Sequence, residues 1–190
     1  MDIVDTAHEI CAYFSLLPDV KKCTIYGSIA ENYHDEFSDI DIELDVSGRD
    51  NSLFSLQIPE LLNNAFPVLF FDYAPSLMPG GYIVSNAISS ENPFLMVDIK
   101  CVAVPHFASV TKSDFPFSRV DHTLKVFVAN LKHMLRGADC YDDIFRMHSR
   151  VCQSSDSMRE EDMMKSVFRW LEANADSCLK NYLESLRSYL

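Results

Sequence analysis

Three short segments contain the residues most able to do chemistry. They are Tyr26-Gly27-Ser28, Ser38-Asp39-Ile40-Asp41-Ile42 and Leu95-Met96-Val97-Asp98-Ile99-Lys100. On an extended chain Asp39 and Asp41 leave the same face, with Cα atoms roughly 6.5–7 Å apart. That is close enough for both carboxylates to reach one divalent cation. Two anions held side by side repel each other unless a cation compensates them. Asp98 sits inside an apolar run, where a lone carboxylate is costly to bury and needs a partner. If its strand lies beside the one carrying Asp39 and Asp41, three carboxylates converge on one or two Mg²⁺ ions. Gly27 ends a strand and Ser28 opens a short helix. Such a junction offers backbone N–H groups, a hydroxyl and a helix N-terminus to a phosphate.

Periodicity indicates which elements position these groups. Ile3, Val4, Ala7, Ile10, Cys11 and Phe14 recur at helical spacing before Pro18 and predict a helix over residues 3–16. Residues 22–26 form a short strand. Residues 39–46 alternate, with Ile40, Ile42, Leu44 and Val46 facing one way and Asp39, Asp41, Glu43 and Asp45 the other, the pattern of a half-buried strand. Asn51 or Ser52 caps a following helix that ends near Asn64, and Pro59 divides it. Further strands are expected at residues 68–73, 82–88 and 94–104, with a turn-rich loop around Pro75, Pro79, Gly80 and Gly81. Residues 105–118 show little periodicity, and the domain boundary is placed there. Beyond them the pattern is helical only. One stripe runs from Val120 to Leu135 with Gly137 as its stop, a second from Tyr141 to Cys152, and a third from Met163 to Leu186. Gln153 to Ser157 is a polar break, and Asn174-Ala175-Asp176-Ser177 is a further point where the last stripe can divide. The expected organisation is an α+β domain with a mixed sheet over residues 1–110, then a C-terminal helical bundle over residues 119–190.

Composition narrows the function classes. The chain has 190 residues, 48% hydrophobic and 23% charged, which is typical of a globular protein. A formal charge of −12 argues against a partnership with a nucleic-acid backbone, because that binding draws on clustered Lys and Arg. The segment MDIVDTAHEI lacks the pattern of a secretory signal, and no stretch is apolar enough to span a membrane. The six cysteines are scattered without a CxxC pair and read as reduced thiols of a cytoplasmic protein. Glu43 and Asp45 extend the Asp39/Asp41 row and read as a solvated face. His148 and Cys152, four apart on a helix, have the spacing of a metal pair, but two ligands make no site and core packing accounts for them. The methionine and aromatic stripe from Met163 to Leu186 reads as bundle core.

In order and spacing, these motifs resemble the nucleotidyltransferase superfamily that includes DNA polymerase β and the aminoglycoside and lincosamide nucleotidyltransferases. The family shows an apolar strand, Gly-Gly or Gly-Ser, roughly ten residues, Asp-x-Asp, and later an Asp flanked by apolar residues. Gly27-Ser28, Asp39-Ile40-Asp41 and Val97-Asp98-Ile99 match these pieces, over roughly residues 20–104. Where many small relatives carry Arg-Gly, this chain reads Ala30-Glu31-Asn32. The resemblance implies that Asp39, Asp41 and Asp98 are catalytic residues holding two Mg²⁺ ions. It also implies that a nucleoside triphosphate lies near Gly27 and Ser28, with Lys100 placed to touch a phosphate. A substrate hydroxyl would attack the α-phosphorus and pyrophosphate would leave. The expected donor is ATP or another nucleoside triphosphate, and the expected acceptor a small molecule such as an aminoglycoside-like antibiotic. In antibiotic-modifying relatives a carboxylate of the helical part is the general base, and Asp121, Asp142 and Glu91 are the candidates here. Some relatives share the site across a homodimer. The alternatives are a protein adenylyltransferase, as in a toxin–antitoxin pair, and a non-catalytic nucleotide-binding module.

Overall fold

The computed structural model describes residues 2–74, 80–152 and 158–190. The loop expected around Pro75 and Pro79 and the break at Gln153 to Ser157 lie outside the described residues. The chain is α+β and divides into two compact units. The first comprises residues 1–89 and 94–117, and the second residues 90–93 and 118–190.

The first unit opens with α1 (Ile3–Ser15), whose N-terminus is capped by Asp2 accepting from the Val4 and Asp5 N–H groups. β1 (Lys22–Tyr26) follows, and then a single helical turn, α2 (Gly27–Ala30). β2 (Ile40–Asp45) leads into α3 (Asn51–Asn63), and β3 (Phe70–Tyr73), β4 (Gly81–Ala87) and β5 (Met96–Val102) complete the unit. The five strands form one sheet in the order β1-β2-β5-β4-β3. Only the central β2–β5 pair is parallel, so the sheet is mixed.

Alternation along the strands separates the two faces of the sheet. Ile40, Ile42 and Leu44 of β2, Val97, Ile99 and Cys101 of β5 and Val84 of β4 are fully buried. They form one cluster with Ala7, Ile10 and Phe14 of α1 and Phe54, Ile58 and Leu62 of α3. Burying each large apolar side chain contributes roughly 1.5–3 kcal/mol, so this face fixes the register of both central strands. A slip of one residue would turn Ile40, Ile42 and Leu44 to the polar face and bring Asp41 and Glu43 into the core.

Two sequence expectations about α3 are corrected. Asp50 is the cap, accepting from the Ser52 and Leu53 N–H groups at 2.9 and 3.1 Å. Asn51 is instead fully buried; its Nδ2 donates to the Cys101 carbonyl and its Oδ1 accepts from the Phe107 N–H. Pro59 does not divide the helix, which runs unbroken through it. The turns on either side are held down by the buried Phe54, Ile58 and Leu62, and this packing outweighs the one backbone bond that proline removes. The segment read as a boundary also folds onto the first unit. Val110 and Phe115 are buried with Tyr82, and Tyr82 Oη donates to the Phe107 carbonyl at 2.8 Å.

The second unit is helical. It contains α4 (Arg119–Leu135), α5 (Tyr141–Val151), α6 (Glu160–Asn174), a 3₁₀ turn (Ser177–Leu179) and α7 (Lys180–Arg187). Gly137, at φ +73°, ends α4. The Ala138 N–H reaches the His133 carbonyl and the Gly137 N–H reaches that of Met134, the Schellman arrangement. Phe127 of α4 packs on Phe168 of α6 with ring centroids 5.8 Å apart, and Asn130 Nδ2 approaches Met147 Sδ at 3.7 Å. Met163, Met164, Val167 and Leu171 are fully buried, as the stripe predicts. The last stripe divides after Asn174. Among the described residues no helix is long and apolar enough to cross a membrane.

Candidate functional site

The second face of the sheet is polar. In register, Tyr26 of β1 pairs with Asp41 of β2, Asp41 with Asp98 of β5, Asp98 with Ser85 of β4, and Ser85 with Asp72 of β3. Paired positions share a face, so one row crosses all five strands as phenol, carboxylate, carboxylate, hydroxyl and carboxylate. The neighbouring row reads Thr24, Glu43, Lys100, Ile83.

Asp41 and Asp98 are direct partners on the parallel pair, so their Cα atoms stand about 4.8 Å apart. Both are half-buried. Two like charges on such neighbouring positions disfavour each other when both are ionised. Asp39 lies one residue before β2 and is also half-buried. The loop before it is tied back on itself. Ser38 Oγ–H donates to Asp35 Oδ1 at 2.9 Å, the Asp35 N–H donates to Ser38 Oγ at 2.9 Å, and the Phe37 ring sits edge-on to Phe94 at 5.1 Å.

The Gly27 backbone packs directly against the Asp41 carboxylate. It adopts φ +68°, and a Cβ placed on it would lie 2.2 Å from Asp41 Oδ2 and 3.0 Å from Asp41 Cγ. Two separate demands therefore select glycine, a left-handed backbone and a carboxylate occupying the side-chain position. α2 begins at Gly27 and lasts one turn, with the Glu31 N–H reaching the Gly27 carbonyl and the Tyr33 N–H that of Ser28. A single turn has little macrodipole. What this junction offers an anion is the Ser28 hydroxyl and the local N–H groups. Asn32 follows at φ +57°, a conformation asparagine tolerates better than most residues.

The electrostatics of Tyr26 report on the same cluster. Burial first, then the charges of Asp41, Asp98 and Glu43, push its phenol up to about 12. Three carboxylates thus act on one hydroxyl. Lys100 shares a face with Asp98, as the sequence implies, but its Nζ is 2.6 Å from Glu43 Oε2. Glu43 therefore holds the lysine that the sequence offered to a phosphate, and is not simply solvated. Asp45 closes the strand. Hydrogen bonds from the Ser47 hydroxyl and N–H, assisted by Lys21 and Lys22, hold its carboxyl below the usual range.

Among the described residues, no three His, Cys, Asp or Glu side chains stand together as a ready-made metal cage. The donor set is nonetheless of one chemical kind. Asp41 and Asp98, with Asp39 at the entry to β2, offer only hard carboxylate oxygens. Mg²⁺ is commonly held by one or two carboxylates, with water and substrate phosphates completing the shell. A repelling carboxylate pair fits that mode.

Asp121, Asp142 and Glu91 all belong to the second unit. His148 is fully buried on α5, and burial lowers its pKa, whereas Cys152 lies just past the helix end. Ser85 and Asp72 were not singled out from the sequence, because their place in this row follows only from strand order. The available signal was the polar pair Ser85-Asn86 within the strand expected over residues 82–88. No protein-family model and no curated protein matches this chain.

Proposed function

We propose that the first unit is a nucleotidyltransferase core, and that the protein transfers a nucleoside monophosphate, AMP from ATP, to a hydroxyl of a small molecule. The observation that carries this reading is the pairing of Asp41 with Asp98 on adjacent parallel strands, with the left-handed Gly27 closed against Asp41. The order of Gly27-Ser28, Asp39-x-Asp41 and Asp98 gives it independent support.

In this reading the acceptor oxygen bonds to the α-phosphorus, the bond from that phosphorus to the bridging oxygen breaks, and pyrophosphate leaves. The acceptor proton passes to a base or to solvent. Asp39, Asp41 and Asp98 would hold Mg²⁺, which would supply charge stabilisation on the phosphoryl oxygens. Gly27 keeps side-chain atoms away from Asp41, so that a triphosphate can approach the turn. The Ser28 hydroxyl and adjacent N–H groups orient the phosphates. Lys100 offsets the Glu43 charge and limits the repulsion felt by the Asp41–Asp98 pair. The strongly acidic chain would attract a cationic acceptor, which makes an aminoglycoside-like antibiotic the first class to try.

The test is pyrophosphate release from ATP, GTP, CTP and UTP with Mg²⁺, in the presence of a panel of aminoglycosides and lincosamides. Release that depends on both an acceptor and Asp41, and is lost in Asp41→Asn, supports the reading. Mg²⁺-dependent binding of a nucleotide with no release across the panel favours the non-catalytic module.

A further inference from the structure

We infer that Ser85 is a positioning residue for Asp98, with a hydroxyl reserved for the metal- and nucleotide-loaded state. The inference rests on the nucleotidyltransferase reading and deepens it. Ser85 is 1% exposed, yet its Oγ has no hydrogen-bond partner among the described residues. A buried hydroxyl left without a partner costs roughly 1–3 kcal/mol. Such a group is retained more readily where another state of the molecule uses it.

The register shows what it faces. Ser85 is the direct antiparallel partner of Asp98, so the two side chains leave the same face of neighbouring strands. Directly opposed Cβ atoms on such a pair are about 4.5–5.5 Å apart, within which a serine hydroxyl and a carboxylate oxygen can reach hydrogen-bond distance by side-chain rotation. Asp98 has Asp41 on its other side. With one Asp98 oxygen holding Mg²⁺, the other would be placed to accept from Ser85 Oγ–H. That bond fixes the rotamer of Asp98 and satisfies the orphaned hydroxyl in the same step. Partners of this kind, one shell away from a metal, typically change affinity by 10–100-fold when removed.

The experiment measures two quantities for wild type, Ser85→Ala, Ser85→Thr and Asp98→Asn: the melting temperature without ligand, and the Mg²⁺ concentration at half-maximal ATP binding. Ser85→Ala is expected to melt at the wild-type temperature or higher, because it removes an unsatisfied polar atom, while its Mg²⁺ midpoint rises about tenfold or more. Ser85→Thr keeps the hydroxyl and is expected to hold the midpoint within about threefold of wild type, whatever its extra methyl does to the melting temperature. A wild-type midpoint in Ser85→Ala, with the midpoint lost in Asp98→Asn, overturns the role of Ser85 alone. A lower unliganded melting temperature in Ser85→Ala with an unchanged midpoint makes Ser85 purely structural and overturns it too. ATP binding that Mg²⁺ does not affect, in wild type and Asp98→Asn alike, removes the underlying reading and the inference together.

Discussion

Replacing Gly27 by alanine separates backbone strain from damage to the carboxylate pair. An L residue held in the left-handed region costs roughly 1–2 kcal/mol relative to glycine. At Gly27 a second penalty is added. The new Cβ would lie 2.2 Å from Asp41 Oδ2, 3.0 Å from its Cγ and 3.3 Å from its Cβ. Ordinary contacts begin near 3.5 Å, so the carboxylate must move by about 1 Å or more, away from its place beside Asp98. Gly80 is the control. It adopts φ +79° in the same unit, and among the described residues a Cβ there meets nothing within 4 Å. Gly80→Ala should lose about 1–2 kcal/mol of stability and Gly27→Ala more than that, and in a chain of this size each kcal/mol lowers the melting temperature by roughly 2–4 °C. They should part company when Mg²⁺ and ATP are added. A ligand at about 100 times its dissociation constant adds roughly 2.7 kcal/mol to the folded state. Gly80→Ala should show that gain in full, and Gly27→Ala should lose most of it. The assay is thermal unfolding with and without Mg²⁺ and ATP. A Gly27→Ala protein that keeps the full Mg²⁺-dependent gain would refute the argument that Gly27 is there for Asp41.

Three further outcomes follow from the same structure. Asp98→Asn keeps the shape of the side chain but removes a carboxylate oxygen donor and should abolish the Mg²⁺-dependent gain, read by melts with and without Mg²⁺ and ATP. Asp50→Ala removes the cap of α3 and should cost about 1 kcal/mol, read by urea unfolding, with Mg²⁺–ATP binding unchanged once the protein is folded. Stability should decline as pH rises from about 9 toward 12, because burial pushes the Cys101 thiol and the Tyr73 phenol each up to about 12 in the folded chain. The sign follows from linkage: these groups ionise near 9 and 10 in the unfolded chain while remaining protonated in the fold, so the unfolded state gains as protons leave it. Unfolding midpoints measured across that range check it, and Cys101→Ser should flatten the lower part of the decline.

The parts of this fold that could be read from the sequence were those with local causes. Ile40, Ile42 and Leu44 alternate with Asp41, Glu43 and Asp45, and that pattern alone placed β2 and its polar face. Gly137 stopped α4 as expected, because a left-handed C-terminal residue is a local requirement. What escaped was set by distant partners. Pro59 is compatible with an unbroken α3 because the sheet beneath holds both of its neighbouring turns. Asn51 reads as a cap by residue type, yet the carbonyl of Cys101 and the N–H of Phe107, some 50 residues away, claim its side chain. Lys100 has the same history, since Glu43 faces it only once β2 and β5 are paired. Asp98 was recognisable as a carboxylate in need of a partner. That its neighbours are Asp41 on one side and Ser85 on the other depends on a strand order no local pattern encodes.

The most direct test of the central claim is calorimetric titration of ATP into the protein with Mg²⁺ and again with EDTA, alongside the Asp41→Asn/Asp98→Asn double variant. The carboxylate-pair account predicts binding by the wild type with Mg²⁺, none with EDTA, and none in the double variant under either condition. Binding that is equally strong with EDTA, or that survives loss of both carboxylates, would contradict it.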